Sequence, residues 1–236
     1  MTIKTFSNND MGQNIYLYYD EKSVKENSDK ESDKKSDKES GVPGIIIDAG
    51  CSEADKKAIA SYIEETNITV QGILLTHGHY DHIIALATDG LKNLAQIQAP
   101  NQALIYCHEE EKQVMENPNI NLSAFTGDNI KISPDHLFKD SDIFQFGNVK
   151  LKVLHIPGHT PGGCCYYDEE NSILFPGDTL FKESIGRTDF PLGDHQILID
   201  SISKKLLVLP NDTKVYPGHG PATTIGHEKD RNPFLK

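Results

Sequence analysis

Nothing in this chain of 236 residues approaches the roughly 20 consecutive apolar residues that a membrane span needs. Its first residues, MTIKTFSNNDMGQN, also lack the apolar core of a secretory signal, so a soluble cytoplasmic chain is expected. A basic excess is missing too. The 23 Lys and Arg stand against 35 Asp and Glu, a formal net charge of −12, which disfavours nucleic acid and anionic membrane surfaces as partners because both are held by neutralising phosphates. The four cysteines, Cys51, Cys107, Cys164 and Cys165, form no C-x-x-C pair, and neighbours such as Cys164 and Cys165 rarely bridge each other. They read as reduced core thiols. Apolar residues make up only 37% of the chain. Part of the shortfall lies in Glu21 to Ser40, EKSVKENSDKESDKKSDKES, where seven acids face six lysines and almost nothing is available for burial. A solvated charged insertion within a single domain spanning 1–236 is expected there.

What is present is a series of apolar runs that end in glycine-flanked loops. NIYLYY (Asn14 to Tyr19) and GIIID (Gly44 to Asp48) read as two strands, paired as a hairpin around the charged insertion. Loop-closure entropy grows only logarithmically with length, so an insertion at that position costs little. After DAG comes a helix signal, with Ser52 as N-cap, Asp55 three places on, and Ala58, Ile59, Tyr62 and Ile63 on one face. VQGILLT (Val70 to Thr76), VKLKVLHI (Val149 to Ile156), SILFPGD ending at Asp178, and KVYPGHG containing His219 read as further strands. Asp194 to Leu209 has helical spacing. Strands are too many for a bundle and helices too many for a barrel, so a layered α/β protein is expected.

Four of these strand ends carry His or Asp. THGHYDH (Thr76 to His82) packs three of the chain's ten histidines and an aspartate together. In an extended segment alternate side chains share a face, so His77 and His79 can converge on one point while Asp81 and His82, past the turn, face a second. His159, Asp178 and His219 at the other strand ends complete a donor set for two neighbouring metal ions, and Asp178 has two oxygens with which to bridge them. Gly158, Gly177 and Gly218 each precede one of these donors and allow a sharp turn or a close approach. So dense a cluster has little structural reason to exist without a cation to offset its desolvation. The isolated His108, His136 and His227 read as hydrogen-bonded structural residues, His155 as a residue behind the ligands, and Tyr80 as packing.

THGHYDH, PGHTPGG, FPGDTLF and YPGHG occur in the order found in the metallo-β-lactamase superfamily, and together they resemble its glyoxalase II (hydroxyacylglutathione hydrolase) branch. The resemblance implies a four-layered αββα sandwich with the metals at one edge of the sheets. His77, His79 and His159 would hold one ion, Asp81, His82 and His219 the other, and Asp178 would bridge them, with Asp81 and Asp178 as the catalytic carboxylates. Glyoxalase II proper carries a helical glutathione-binding extension, whereas only 17 residues follow His219 here. SIGRTDFPLGD and TTIGHEKDRNPFL resemble the short single-domain glyoxalase II-like proteins instead. GRTDF (Gly186 to Phe190) also resembles persulfide dioxygenases of the same superfamily, which use a single iron.

The implied chemistry is hydrolysis by a water that two divalent cations, zinc or alternatively iron or manganese, have made acidic. A small acyl thioester such as S-lactoylglutathione is the leading substrate, because a thiolate leaving group needs no dedicated acid. Two divalent cations against two carboxylates and a hydroxide leave the pocket with about one net positive charge, which outweighs distant surface acids at short range. Arg187 is a candidate fork for a substrate carboxylate, or else the partner of Asp189 or Asp178. The competing readings are an iron persulfide dioxygenase using His77, His159 and Asp178, and a non-enzymatic scaffold, which the completeness of the donor set disfavours. Excising Glu21 to Ser40 is expected to leave metal content and turnover at the level of the full chain, measured side by side; a large loss would give the insertion a part in the site.

Overall fold

The computed structural model describes residues 1–7, 12–21, 41–87 and 103–236; all of the expected charged insertion except Glu21 lies outside them. The first half of the chain runs β1 (Thr2–Ser7), β2 (Asn14–Tyr19), β3 (Val42–Ile47), α1 (Glu53–Thr66), β4 (Ile68–Leu74), the short α2 (Tyr80–Ile83), β5 (Leu104–His108), the single turns α3 (Lys112–Met115) and α4 (Ser123–Thr126), and β6 (His136–Phe138). Strands β1 to β6 form one six-stranded sheet in that order, antiparallel from β1 to β3 and parallel from β3 to β6. The second half runs β7 (Ile143–Phe146), β8 (Val149–His155), β9 (Cys164–Asp168), β10 (Ile173–Gly177), the hairpin β11 (Leu180–Phe181) and β12 (Ser184–Ile185), α5 (His195–Ser201), β13 (Lys214–Pro217), β14 (Thr223–Thr224) and α6 (Ile225–Arg231). Its sheet has the order β14-β13-β10-β9-β8-β7.

The strand period of two explains the layering. Along β2, Tyr16 and Tyr18 face the second sheet and join an inner core with Leu151, Val153, Tyr166 and Phe175, while Ile15, Leu17 and Tyr19 belong to a separate core with Ile59 and Ile63 of α1. Along β9, Cys164 and Tyr166 face inward, whereas Cys165 and Tyr167 pack with Leu198, Ile202 and Leu206 on the far side. Helix, sheet, sheet, helix is therefore the order of layers, as expected. All four cysteines are buried and unpaired.

Local signals act as the residue types dictate. Ser52 and Asp55 form a reciprocal capping box at the start of α1. β2 and β3 pair antiparallel, with Tyr16 opposite Ile47. The helix expected over Asp194 to Leu209 is shorter: Asp194 caps α5, which passes into a π-helical turn at Ile202–Leu206.

Strands β3 and β4 are parallel, and so are β10 and β13, with β8 antiparallel to β9 and β9 to β10. The carboxyl ends of β8, β10 and β13 therefore share one edge. The two sheets are stitched together at that edge. Tyr16 Oη donates to the Pro217 carbonyl at 2.6 Å, the Asn14 N–H to the Gly218 carbonyl at 2.7 Å, the Cys164 N–H to the Thr76 carbonyl at 2.9 Å, and Tyr166 Oη to the Leu75 carbonyl at 2.7 Å.

Candidate metal centre

The loops leaving β4, β8, β10 and β13 bring all seven expected donors together. His77, His79 and His159 form one group, and Asp81, His82, Asp178 and His219 a second; within each, one donor atom per residue lies within 4.8 Å of the others. Asp178 stands between them. Its Oδ1 is 3.3 Å from His82 Nε2, and its Oδ2 is 3.6 Å from His219 Nε2 and 3.9 Å from His159 Nε2. Asp81 Oδ2 is 3.0 Å from His219 Nε2. The glycines leave no slack: a Cβ on Gly218 would overlap Asp178 Oδ1 and fall 2.8 Å from His82 Cε1, and Gly177 takes φ 53° where the chain turns into Asp178.

Three of the imidazoles, His77, His82 and His159, are oriented from behind. His159 Nδ1 donates to the Arg187 carbonyl at 2.7 Å, which leaves the Nε2 lone pair facing the site. His82 Nδ1 donates to Asp48 Oδ2 at 2.8 Å. Asp48 also accepts from the Thr76 N–H and hydroxyl, and Thr76 Oγ1 in turn lies 3.1 Å from His77 Nδ1. His79 Nδ1 and His159 Nε2 then face each other at 2.9 Å. His77 Nε2 is buried without a hydrogen-bond partner among the described residues. A buried imidazole nitrogen left in this way fits a cation, because no protein atom repays its desolvation.

The two groups differ electrically. Burial drives His77 well below the ordinary imidazole range and His79 down to about 3, with the neighbouring imidazoles adding to the effect on both; burial also lowers His159. These rings are neutral at neutral pH and can act as ligands. In the second group burial opposes the charged form of His82, but Asp178, Asp48 and Asp81 outweigh it and raise the ring. His219 is likewise raised against burial by Asp81 and Asp178. Burial works against ionising Asp81 and Asp178, yet His82 and the other imidazoles hold both carboxyls below their usual range.

Other candidates fall outside the two groups. Arg187 pairs with Asp189, with Nε and Nη2 each donating to it at 2.7 Å, and its guanidinium lies 3.8 Å over the Phe190 ring. Phe190 packs against His79 at 5.5 Å. Tyr80 is half-buried against the first core and donates its N–H to the Asn121 carbonyl. His108 stacks on His155 at 3.9 Å, His136 stacks on Tyr106, and His227 bonds Glu183. Asp48 was not among the residues expected from the sequence. Its signal was present, a carboxylate directly after a strand, but without a histidine beside it to draw attention.

The profile of the metallo-beta-lactamase superfamily matches residues 41–219. The chain belongs to that superfamily. Among metallo-beta-lactamase superfamily relatives, hydroxyacylglutathione hydrolase GloC of Haemophilus influenzae is 40% identical over 194 residues, covering 80% of this chain and 86% of the relative. The crystal structure of BLEG-1 B3 metallo-beta-lactamase aligns over 100% of both chains with a TM-score of 0.82 and 34% identity. That of TTHA1623 in a di-iron-bound form aligns over 100% of both chains at 0.73 and 30%. Superfamily membership and the two donor groups together support a metal-dependent hydrolase.

Asp48→Asn keeps the volume but cannot accept from Thr76 and His82 with both side-chain atoms. Divalent-cation affinity of the metal-free protein is expected to fall about 10–100-fold, measured by titration against a chelator; unchanged affinity would confine Asp48 to holding its loop.

Proposed function

We propose that the protein hydrolyses a small acyl thioester, with S-lactoylglutathione or a related glutathione conjugate as the substrate. The observation that carries this reading is the pair of donor groups sharing Asp178. The likeness to a hydroxyacylglutathione hydrolase at 40% identity supports the choice of substrate. His77, His79 and His159 would hold one divalent cation, Asp81, His82 and His219 the other, with Asp178 between them. Imidazole and carboxylate donors suit zinc first, with iron or manganese as alternatives. Such a pair makes a water acidic near neutral pH and polarises a carbonyl oxygen.

The chain's own residues do the positioning. Asp48 and the Arg187 carbonyl fix the rings of His82 and His159, so Nε2 of each points inward before any ligand arrives. Asp81 and Asp178, held ionised by the imidazoles around them, would serve as the catalytic carboxylates, balancing the charge of the cations and offering acceptor oxygens to a water in the site. A thiolate is a weak enough base to leave without a dedicated acid. Tyr80, tied into the wall beside the site, is not required as one. Arg187 sits at the rim with Asp189 on one edge and Phe190 beneath, and its Nη1 has no partner among the described residues. We assign it to a carboxylate of the substrate.

Metal analysis is expected to give two cations per chain, with hydrolysis of S-lactoylglutathione and no oxygen uptake on glutathione persulfide. One iron per chain with oxygen consumption would replace this reading by the persulfide dioxygenase, whose ligands would be His77, His159 and Asp178. Arg187→Ala is expected to raise KM for S-lactoylglutathione more than it lowers kcat in steady-state assays, whereas unchanged kinetics would limit Arg187 to ordering its loop.

A further inference from the structure

The segment after β5 gives no donor to either group, yet it touches both loops that carry the first. β5 ends at His108, and a tight turn through Glu109–Glu111 leads into α3. Glu111 is 1% exposed, and no cationic side chain pairs with it among the described residues. Its Oε1 accepts from the Gly78 N–H at 2.7 Å, and its Oε2 accepts from the Thr160 hydroxyl and the Gly162 N–H, both at 2.9 Å. Gly78 lies between His77 and His79, and Thr160 directly follows His159. One carboxylate therefore joins the two loops whose imidazole nitrogens stand 2.9 Å apart.

The surroundings are shaped to bring that carboxylate in. A Cβ on Gly78 would come within 2.7 Å of Met115 Cγ, and one on Gly162 would overlap the Glu111 backbone nitrogen. The same end of β5 braces the far side of the loop: His108 stacks on His155, whose Nε2 donates to the Pro161 carbonyl at 2.8 Å. Burial pushes the Glu111 carboxyl up to about 7, although the donors from Gly78, Thr160 and Gly162 pull the other way. An apolar side chain of similar volume would avoid that cost. A carboxylate offers something the apolar side chain lacks: two acceptor atoms at a fixed separation, each aimed at a different loop.

We propose that Glu111 is a positioning residue for the first metal site: by bridging Gly78 to Thr160 and Gly162 it sets His77 and His79 against His159 at the spacing one divalent cation requires. The inference rests on the reading of the donor groups as a metal centre given above. It adds a residue that would govern the affinity of one ion without touching it.

The test uses metal-free full-length wild type, Glu111→Gln, Thr160→Val and Thr160→Ser, each titrated with Co²⁺ while the d–d absorption is followed, with thermal unfolding of the metal-free forms recorded alongside. Glu111→Gln and Thr160→Val are each expected to weaken one of the two binding steps by about tenfold or more and to alter its spectrum. The other step should stay within about twofold, and Thr160→Ser should recover the wild-type behaviour by restoring the hydroxyl. Should Glu111→Gln fail to fold, the Thr160 pair decides. Wild-type affinities and spectra in the folded variants, or an equal loss of both steps together with a fall in unfolding temperature, would overturn the proposal. A wild type that binds no Co²⁺ would overturn the metal-centre reading itself, and this inference with it.

Discussion

Polar groups taken out of water at the edge of the sandwich are the constraint on which the rest of the structure depends. His77, His79 and His159 are buried as neutral rings, and His82 is fully buried beside three carboxylates. Desolvating such groups costs several kcal/mol each, by order of magnitude, unless partners are fixed in place. The fold supplies them at one remove: Thr76 behind His77, Asp48 behind His82, the Arg187 carbonyl behind His159. Those supports can meet only because the strands carrying them end on the same side. The hydrogen bonds from Tyr16, Asn14, Cys164 and Tyr166 across the sheets keep that side closed.

Much of this was legible in the sequence, for physical reasons. β2, β3, β4, β8, β10 and β13 combine apolar runs with glycine-marked ends, and their positions come through to within a few residues. β6, at three residues, and β7, at four, are too short for their alternation to stand out. β9, CCYYD, is buried on both faces, so it shows no alternation at all. The seven donors were visible because histidine is scarce and clustered. Asp48 and Glu111 were not. A single carboxylate after a strand, or the third acid of the run Glu109–Glu111, looks like a solvated residue until the fold shows it buried.

The two donor groups also set different terms for a cation. The rings of the first are held in their neutral form by burial, so an ion entering it meets no imidazolium charge near neutrality. In the second, raised imidazoles share protons with depressed carboxylates. An ion entering there must expel those protons, and its hold weakens as the pH falls. Asp178 lies within 3.9 Å of an imidazole nitrogen of each group.

The contacts of Asn14 and Tyr16 with Pro217, Gly218 and Gly220 have a consequence for the order of events during synthesis. A strand translated early closes against a loop translated 201 residues later, counted from Tyr16 to Pro217, and His219 follows His82 by 137 residues. The nascent polypeptide therefore leaves the ribosome with its pocket unfinished, and assembly of the complete centre is deferred until the last of these loops has emerged.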